Sequence, residues 1–156
     1  MKINLLFTGK TKIPYIDQGV SDYFKRLKHY IPIEIIIIPD LKNTKKLSEK
    51  EIKKKEGENI LKVLPVSNFI ILLDEKGKEY GSVDFSGFIN TKLNEGKDLC
   101  FVIGGAYGFS ETVYRKANAK ISLSKLTFSH QMIRMIIAEQ LYRAFTILRN
   151  EPYHHA

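Results

Sequence analysis

At 156 residues with an apolar fraction of 44%, the chain has the size and composition of one globular domain with its own core. Its single cysteine, Cys100, excludes an internal disulfide, and its pure-aliphatic runs, Ile35–Ile38 and Ile70–Leu73, are too short to cross a bilayer. Twenty-five Lys and Arg against 17 Asp and Glu leave a net charge of +8, which points to a polyanionic partner or to a lysine-rich solvated surface.

The first residues, MKINLLFTGK, already have a strand pattern and not that of a secretory signal. With the lone thiol, this gives an expectation of a soluble protein in the reducing cytoplasm. Lys2–Thr8 reads as a buried first strand closed by Gly9. In Pro14–His29, Ile16, Val20, Tyr23, Phe24 and Leu27 recur at helical spacing. Pro14 suits the first turn, and Lys25, Arg26 and Lys28 meet the negative end of the helix dipole. Ile33–Ile38 is nearly all β-branched, as in a strand covered on both faces, hence a parallel sheet.

Pro39 ends that strand, and Asp40–Leu47 is a polar loop. Ser48-Glu49-Lys50-Glu51 is a capping-box pattern opening a helix that runs to about Leu64, before Pro65. Eight lysines lie between Lys42 and Lys62, either a solvated helix face or a basic arm that tracks phosphates. Asn68–Leu73 reads as the third strand, ending in the turn Asp74-Glu75-Lys76-Gly77. Val83–Glu95 is a helix with Val83, Phe85, Phe88, Ile89 and Leu93 inward, closed by Gly96. Leu99–Ile103 is the fourth strand, with Cys100 as core packing. Glu111–Ala117 is a short helix, and Lys120–Ser122 starts the fifth strand. Gln131–Arg149 is the last helix, with Met132, Met135, Ile136, Leu141, Tyr142, Phe145 and Leu148 on one apolar face.

Strands and helices alternate, so the expected fold is single-domain α/β: a mostly parallel five-stranded sheet with helices on both faces. Ligands of such sheets bind at the carboxyl ends of the strands. Three loops leave those ends late in the chain: Asp74–Ser82, Gly104–Ser110 and Leu123–Ser129. Gly104-Gly105-Ala106-Tyr107-Gly108 lacks the spacing of a dinucleotide fingerprint or a P-loop; it is a tight turn or a close-approach loop. Leu123, Ser124, Lys125, Leu126, Thr127 and Phe128 offer backbone polar groups with apolar walls, which suit a neutral heterocycle such as adenine better than a phosphate. His130, Arg134, Glu139, Tyr142 and Arg143 lie on or beside the last helix, where Glu139 and Arg143 have the spacing of a surface ion pair. Tyr153 and His154 sit at the end of the chain, where disorder is the usual state. The residues assemble no nucleophile triad, carboxylate pair or metal cluster, so an enzyme of this sequence would rely on an activated cosubstrate and on positioning.

FVIGGAYGFS, ISLSKLTFSHQMIRMIIAEQLYRAF and the terminal PYHH together resemble the SPOUT-class RNA methyltransferases. The likeness is to the small RlmH-type enzymes, which methylate N3 of a pseudouridine in large-subunit rRNA, and it covers the whole chain, including the Leu73-Asp74-Glu75-Lys76-Gly77 segment. The resemblance implies a C-terminal trefoil knot and a homodimer. It implies S-adenosyl-L-methionine held by Leu73, Gly104 and Leu123–Phe128, and a target in the helix 69 loop of 23S rRNA on the assembled ribosome. It also implies an acceptor site in which His154 and Tyr153 of one protomer, with Arg143 or His130, meet the other protomer's cofactor, with no metal. Ser129 stands where members usually carry Pro, and His155-Ala156 where they usually end in Lys or Arg. Two other readings make different predictions. A non-catalytic RNA- or ribosome-binding module of the same fold would not bind the cofactor, and a flavodoxin-like regulatory domain would bind a phosphate-bearing ligand.

Overall fold

The computed structural model describes residues 1–66 and 68–155; Ala156, part of the divergent ending, lies outside the described residues. In chain order the elements are β1 (Ile3–Thr8), α1 (Pro14–Leu27), β2 (Ile33–Ile38), α2 (Glu49–Val63), β3 (Phe69–Glu79), α3 (Ser82–Asn94), β4 (Leu99–Ile103), α4 (Glu111–Lys116), β5 (Ala119–Ser122) and α5 (Met132–Leu148). The strands form one sheet in the order β2-β1-β4-β3-β5, and every pairing is parallel.

Alternation along the central strands sorts the side chains onto two faces. Ile3, Leu5 and Phe7 of β1 pack with Leu99, Phe101 and Ile103 of β4 beneath α1, α3 and α5. Leu6, Cys100, Val102, Ile70 and Leu72 face the other way, toward α2 and α4. Both faces are therefore covered, which is why these strands read as unbroken apolar runs. Each fully buried Leu, Ile or Phe contributes about 1.5–3 kcal/mol by leaving water. Burial pushes the Cys100 thiol up to about 12, so it is inert packing.

Four features depart from the sequence expectation. β2 is an edge strand, and only Ile33 and Ile38 are buried; the outer helices do not cover its middle, and Ile37 is 46% exposed. β3 runs on through Asp74–Gly77, where a turn was expected, to Glu79. Its register against β5 slips between Leu73 and Lys78, so Ile121 faces both residues. Gly77 lies at this bulge because a Cβ there would sit 2.6 Å from the Ile121 backbone nitrogen. Val83, at the start of α3, is exposed. α5 is wedged between α1, α3 and the sheet, so its buried face is centred on Ile137, Ala138, Leu141, Ala144 and Phe145, with Met132, Met135, Ile136, Tyr142 and Leu148 only half-buried at its borders.

Capping follows the sequence signals. Ser48 Oγ accepts the Glu51 N–H at 3.2 Å and starts α2; Ser110 does the same for Val113 at 3.4 Å in α4. Pro14 opens α1. No helix among the described residues is long and apolar enough to cross a membrane.

Candidate cofactor cleft and C-terminal tail cluster

The Leu73–Lys76 stretch within β3 and the loops that follow β4 and β5 converge on one cleft of about 1200 Å³, whereas Tyr80, Gly81 and Ser82, which follow β3, do not line it. Leu73 lines it from within β3 and Gly104 from the end of β4, and Leu123, Ser124, Leu126, Thr127 and Phe128 line it from the last loop. Lys125 is exposed and is not among the cleft-lining residues. His130 and Ile133 border it at the start of α5, and Lys50, Lys53 and Lys54 of α2 form a further wall.

Short polar side chains hold the last loop open. Ser122 Oγ donates to the Ser124 carbonyl at 2.8 Å, and the Leu126 N–H donates to Ser124 Oγ at 2.9 Å. Thr127 Oγ1 donates to Glu75 Oε2 at 3.0 Å, tying this loop to the end of β3. Ser129 Oγ accepts the Met132 N–H at 3.1 Å, and its carbonyl accepts Ile133 N–H at 3.1 Å. The serine at the divergent position thus anchors the loop to the first turn of α5. The glycine loop is placed by contact: a Cβ on Gly104 would press on the Phe109 ring, and one on Gly105 would overlap the Glu56 carboxylate.

Several charged groups beneath the cleft carried no distinguishing signal in the sequence. Tyr114 donates its hydroxyl to Asp74 Oδ2; burial, then this bond, raise its pKa. Glu56 packs against Gly105 with Oε2 buried and unpartnered, and its carboxyl is held above the ordinary range, by burial first and then by Asp40. Arg134 is fully buried. It donates to the carbonyls of His130 (3.1 Å), Gly9 (2.9 Å) and Thr8 (2.7 Å) and to Thr11 Oγ1 (3.0 Å), and lies over the Phe7 ring. Burial, then the Arg134 charge, lower the His130 pKa, so a neutral imidazole faces the cleft.

The other site residues named from the sequence gather elsewhere. Arg143 donates to Glu139 Oε1 through Nε (3.0 Å) and Nη2 (2.6 Å), so the i,i+4 pair forms. Tyr153 donates to the same oxygen at 3.0 Å and stacks edge-on against Tyr142, with centroids 4.8 Å apart. Burial, then bonds with Tyr23 and Glu139, raise its pKa. Arg143 Nη1 lies 3.1 Å from His154 Nδ1. An arginine N–H can only donate, so His154 meets it with a bare Nδ1 and carries its proton on Nε2. Tyr30, its phenol pushed up to about 12 by burial and by the Glu151 carboxylate, donates to Glu151 Oε2 at 2.5 Å. The tail is therefore docked, and aromatic burial is what overrides the expected disorder. Ile133, which lines the cleft, and Arg143 are ten residues apart on α5, so these two stand about 15 Å apart along the helix axis.

The fold is shared with solved structures described as methylase family proteins. A structure described as a methylase family protein, from Neisseria gonorrhoeae, matches with a TM-score of 0.53 at 12% identity, over 99% of this chain and 85% of that one. One from Haemophilus influenzae matches with a TM-score of 0.52 at 14% identity, over 96% and 66%. The family description "Predicted SPOUT methyltransferase" matches residues 1–154, and the chain belongs to that family. It is 57% identical to Ribosomal RNA large subunit methyltransferase H of Parabacteroides distasonis and 56% identical to the protein of that name from Christiangramia forsetii, over 99% of each chain in both cases.

Proposed function

We propose that this protein is an S-adenosyl-L-methionine-dependent rRNA methyltransferase of the large ribosomal subunit, a single functional unit that methylates N3 of a pseudouridine in the helix 69 loop of 23S rRNA on the assembled ribosome. The observation that carries the reading is the convergence of Leu73–Lys76 of β3 with the loops after β4 and β5 on one cleft, in a chain that matches the named rRNA methyltransferases over its full length. The residues present fit the cofactor. The loops offer backbone N–H and C=O groups, apolar walls at Leu123, Leu126 and Phe128, and the side-chain-free surface of Gly104. When bound, the cofactor supplies a methyl group already activated on a sulfonium. Leu73, Gly104 and Leu123–Phe128 hold it, Lys125 through its backbone, within the trefoil knot expected of the family.

The acceptor nitrogen carries a proton in its neutral form, and its loss leaves negative charge on the base. Arg143, Tyr153 and His154 Nε2–H are donors, suited to stabilising that charge. His130 keeps a lone pair at neutral pH beside the cleft and is the candidate to accept the proton. A methyl transfer needs the reacting atoms about 3–3.5 Å apart. With Ile133 and Arg143 of one chain about 15 Å apart along α5, the reading favours a working site that pairs one protomer's cleft with its partner's tail in a homodimer. Lys10, Lys12, Arg26 and the Lys45–Lys55 region provide the RNA-facing charge, and the protein works with ribosomes in the cytoplasm.

Calorimetry with S-adenosyl-L-methionine and its demethylated product, followed by methyl incorporation into intact ribosomes and into bare rRNA, tests the proposal. Cofactor binding with transfer to ribosomes supports it. Absence of cofactor binding would leave a non-catalytic ribosome-binding protein.

A further inference from the structure

α2 turns only part of its lysine run toward the cleft. Lys50, Lys53 and Lys54 line it, at the i, i+3 and i+4 spacing that places three side chains on one helix face. Like charges so placed repel one another, and none of the three forms an ion pair among the described residues. The acids at the β3 end of the cleft are engaged instead by neutral donors: Asp74 by the Tyr114 hydroxyl and the Lys76 N–H, Glu75 by the Thr127 hydroxyl. The lining holds four lysines, Lys50, Lys53, Lys54 and Lys76, and four acids, Glu49, Asp74, Glu75 and Glu111, so its formal charges balance in number; what sets α2 apart is that three of these lysines share one helix face with no ion-pair partner among the described residues. Its volume of about 1200 Å³ also exceeds the roughly 300–1000 Å³ of a site for one small ligand.

We propose that Lys50, Lys53 and Lys54 form an anion subsite inside the cleft that grips a backbone phosphate of the substrate RNA next to the methylated nucleotide. The proposal rests on the rRNA methyltransferase reading above and adds where the strand enters: along α2, with the phosphate on the same protomer as the cofactor. A base presented to a transferable methyl must be held by its own backbone, and lysine ammonium groups hold phosphates without reading sequence. The other anion that could seat here is the carboxylate of the cofactor itself, and the experiment separates the two.

The test replaces Lys50, Lys53 and Lys54 together by Gln and compares ribosome KM, its salt dependence, and cofactor affinity by calorimetry. The control removes equal charge at Lys62, Lys97 and Lys116, which are exposed and outside the cleft lining. In the cleft variant, ribosome KM rises about tenfold or more and the log–log salt slope flattens by about 0.7–2, while cofactor affinity and the control stay within about twofold of wild type. Replacement of the same three residues by Arg retains ribosome KM, because charge is what the phosphate meets. A loss of cofactor affinity with unchanged ribosome KM would overturn the proposal in favour of the carboxylate. A triple-Gln variant equal to wild type in both, or a control that weakens KM as much, would also overturn it. Wild-type protein that binds cofactor but transfers no methyl to ribosomes would instead refute the underlying reading, and this subsite with it.

Discussion

Replacing Arg134 by Met tests the least expected feature of the fold. The guanidinium is wholly out of water and has no carboxylate bonded to it; its partners are three backbone carbonyls and a threonine hydroxyl. Met fills similar space and donates nothing. The bonds to the Thr8 and Gly9 carbonyls are buried, and each carbonyl left without its donor costs about 1–3 kcal/mol. Relief from burying a cation offsets part of that sum, which leaves a net loss of about 3 kcal/mol. In a chain of this length that corresponds to a fall in Tm of about 6–12 °C. Arg134→Lys is not a rescue, because one ammonium cannot reach acceptors on the Gly9 turn and on His130 from a single fork. Urea melts with unchanged m-value, together with calorimetric Tm, measure the effect. A variant within about 0.5 kcal/mol of wild type would refute the claim that this residue joins α5 to the end of β1.

Glu56→Gln should stabilise the protein at neutral pH. Wild-type Glu56, raised above its usual 4.5 by burial and Asp40, contributes stability that is present below 4.5 and lost as pH rises through its folded value. Tm profiles that stay parallel between variant and wild type from acid to neutral pH would contradict this. Gly105→Ala pushes a Cβ toward the Glu56 carboxylate, the far end of a side chain that can turn aside, and should cost about 1 kcal/mol or less; adding Glu56→Ala should recover most of it, and a double variant no more stable than the single one would disprove the contact. His154→Ala should leave calorimetric cofactor affinity unchanged while slowing single-turnover methyl transfer; an unchanged transfer rate removes His154 from the acceptor site.

The sheet was legible because its strands are buried on both sides, and continuous apolar runs such as Leu99–Ile103 have few other uses. The cleft-lining loops after β4 and β5 were legible because small and polar residues follow those strands, and because the late motifs match a family pattern as a set. Arg134 was not. An arginine in a helix ordinarily snorkels to solvent, and nothing local says that its acceptors come from a turn 125 residues earlier. The one available signal was position: Arg134 stands one turn before Ile137 and Ala138, at the centre of the buried arc. Glu56 was hidden for the same reason, inside a run of charge whose other members are mostly exposed. The β3 bulge was masked because Asp-Glu-Lys-Gly has turn composition, whereas Gly77 is there to let the β5 backbone pass.

α5 links the two halves of the proposed site without joining them. Its first turn, through Ser129 and Arg134, fixes the loop that walls the cleft. Its second half, through Glu139, Tyr142 and Arg143, fixes the tail. The helix holds Ile133 at the cleft and Arg143 at the tail about 15 Å apart along its axis in one chain. In the proposed homodimer, a second copy would bring the two halves together without either anchor changing. On the proposed reading the division of labour is unpaired lysines on α2 for the phosphate, backbone and apolar loop surface for the cofactor, and the partner's hydrogen-bond donors for the base that must give up its proton.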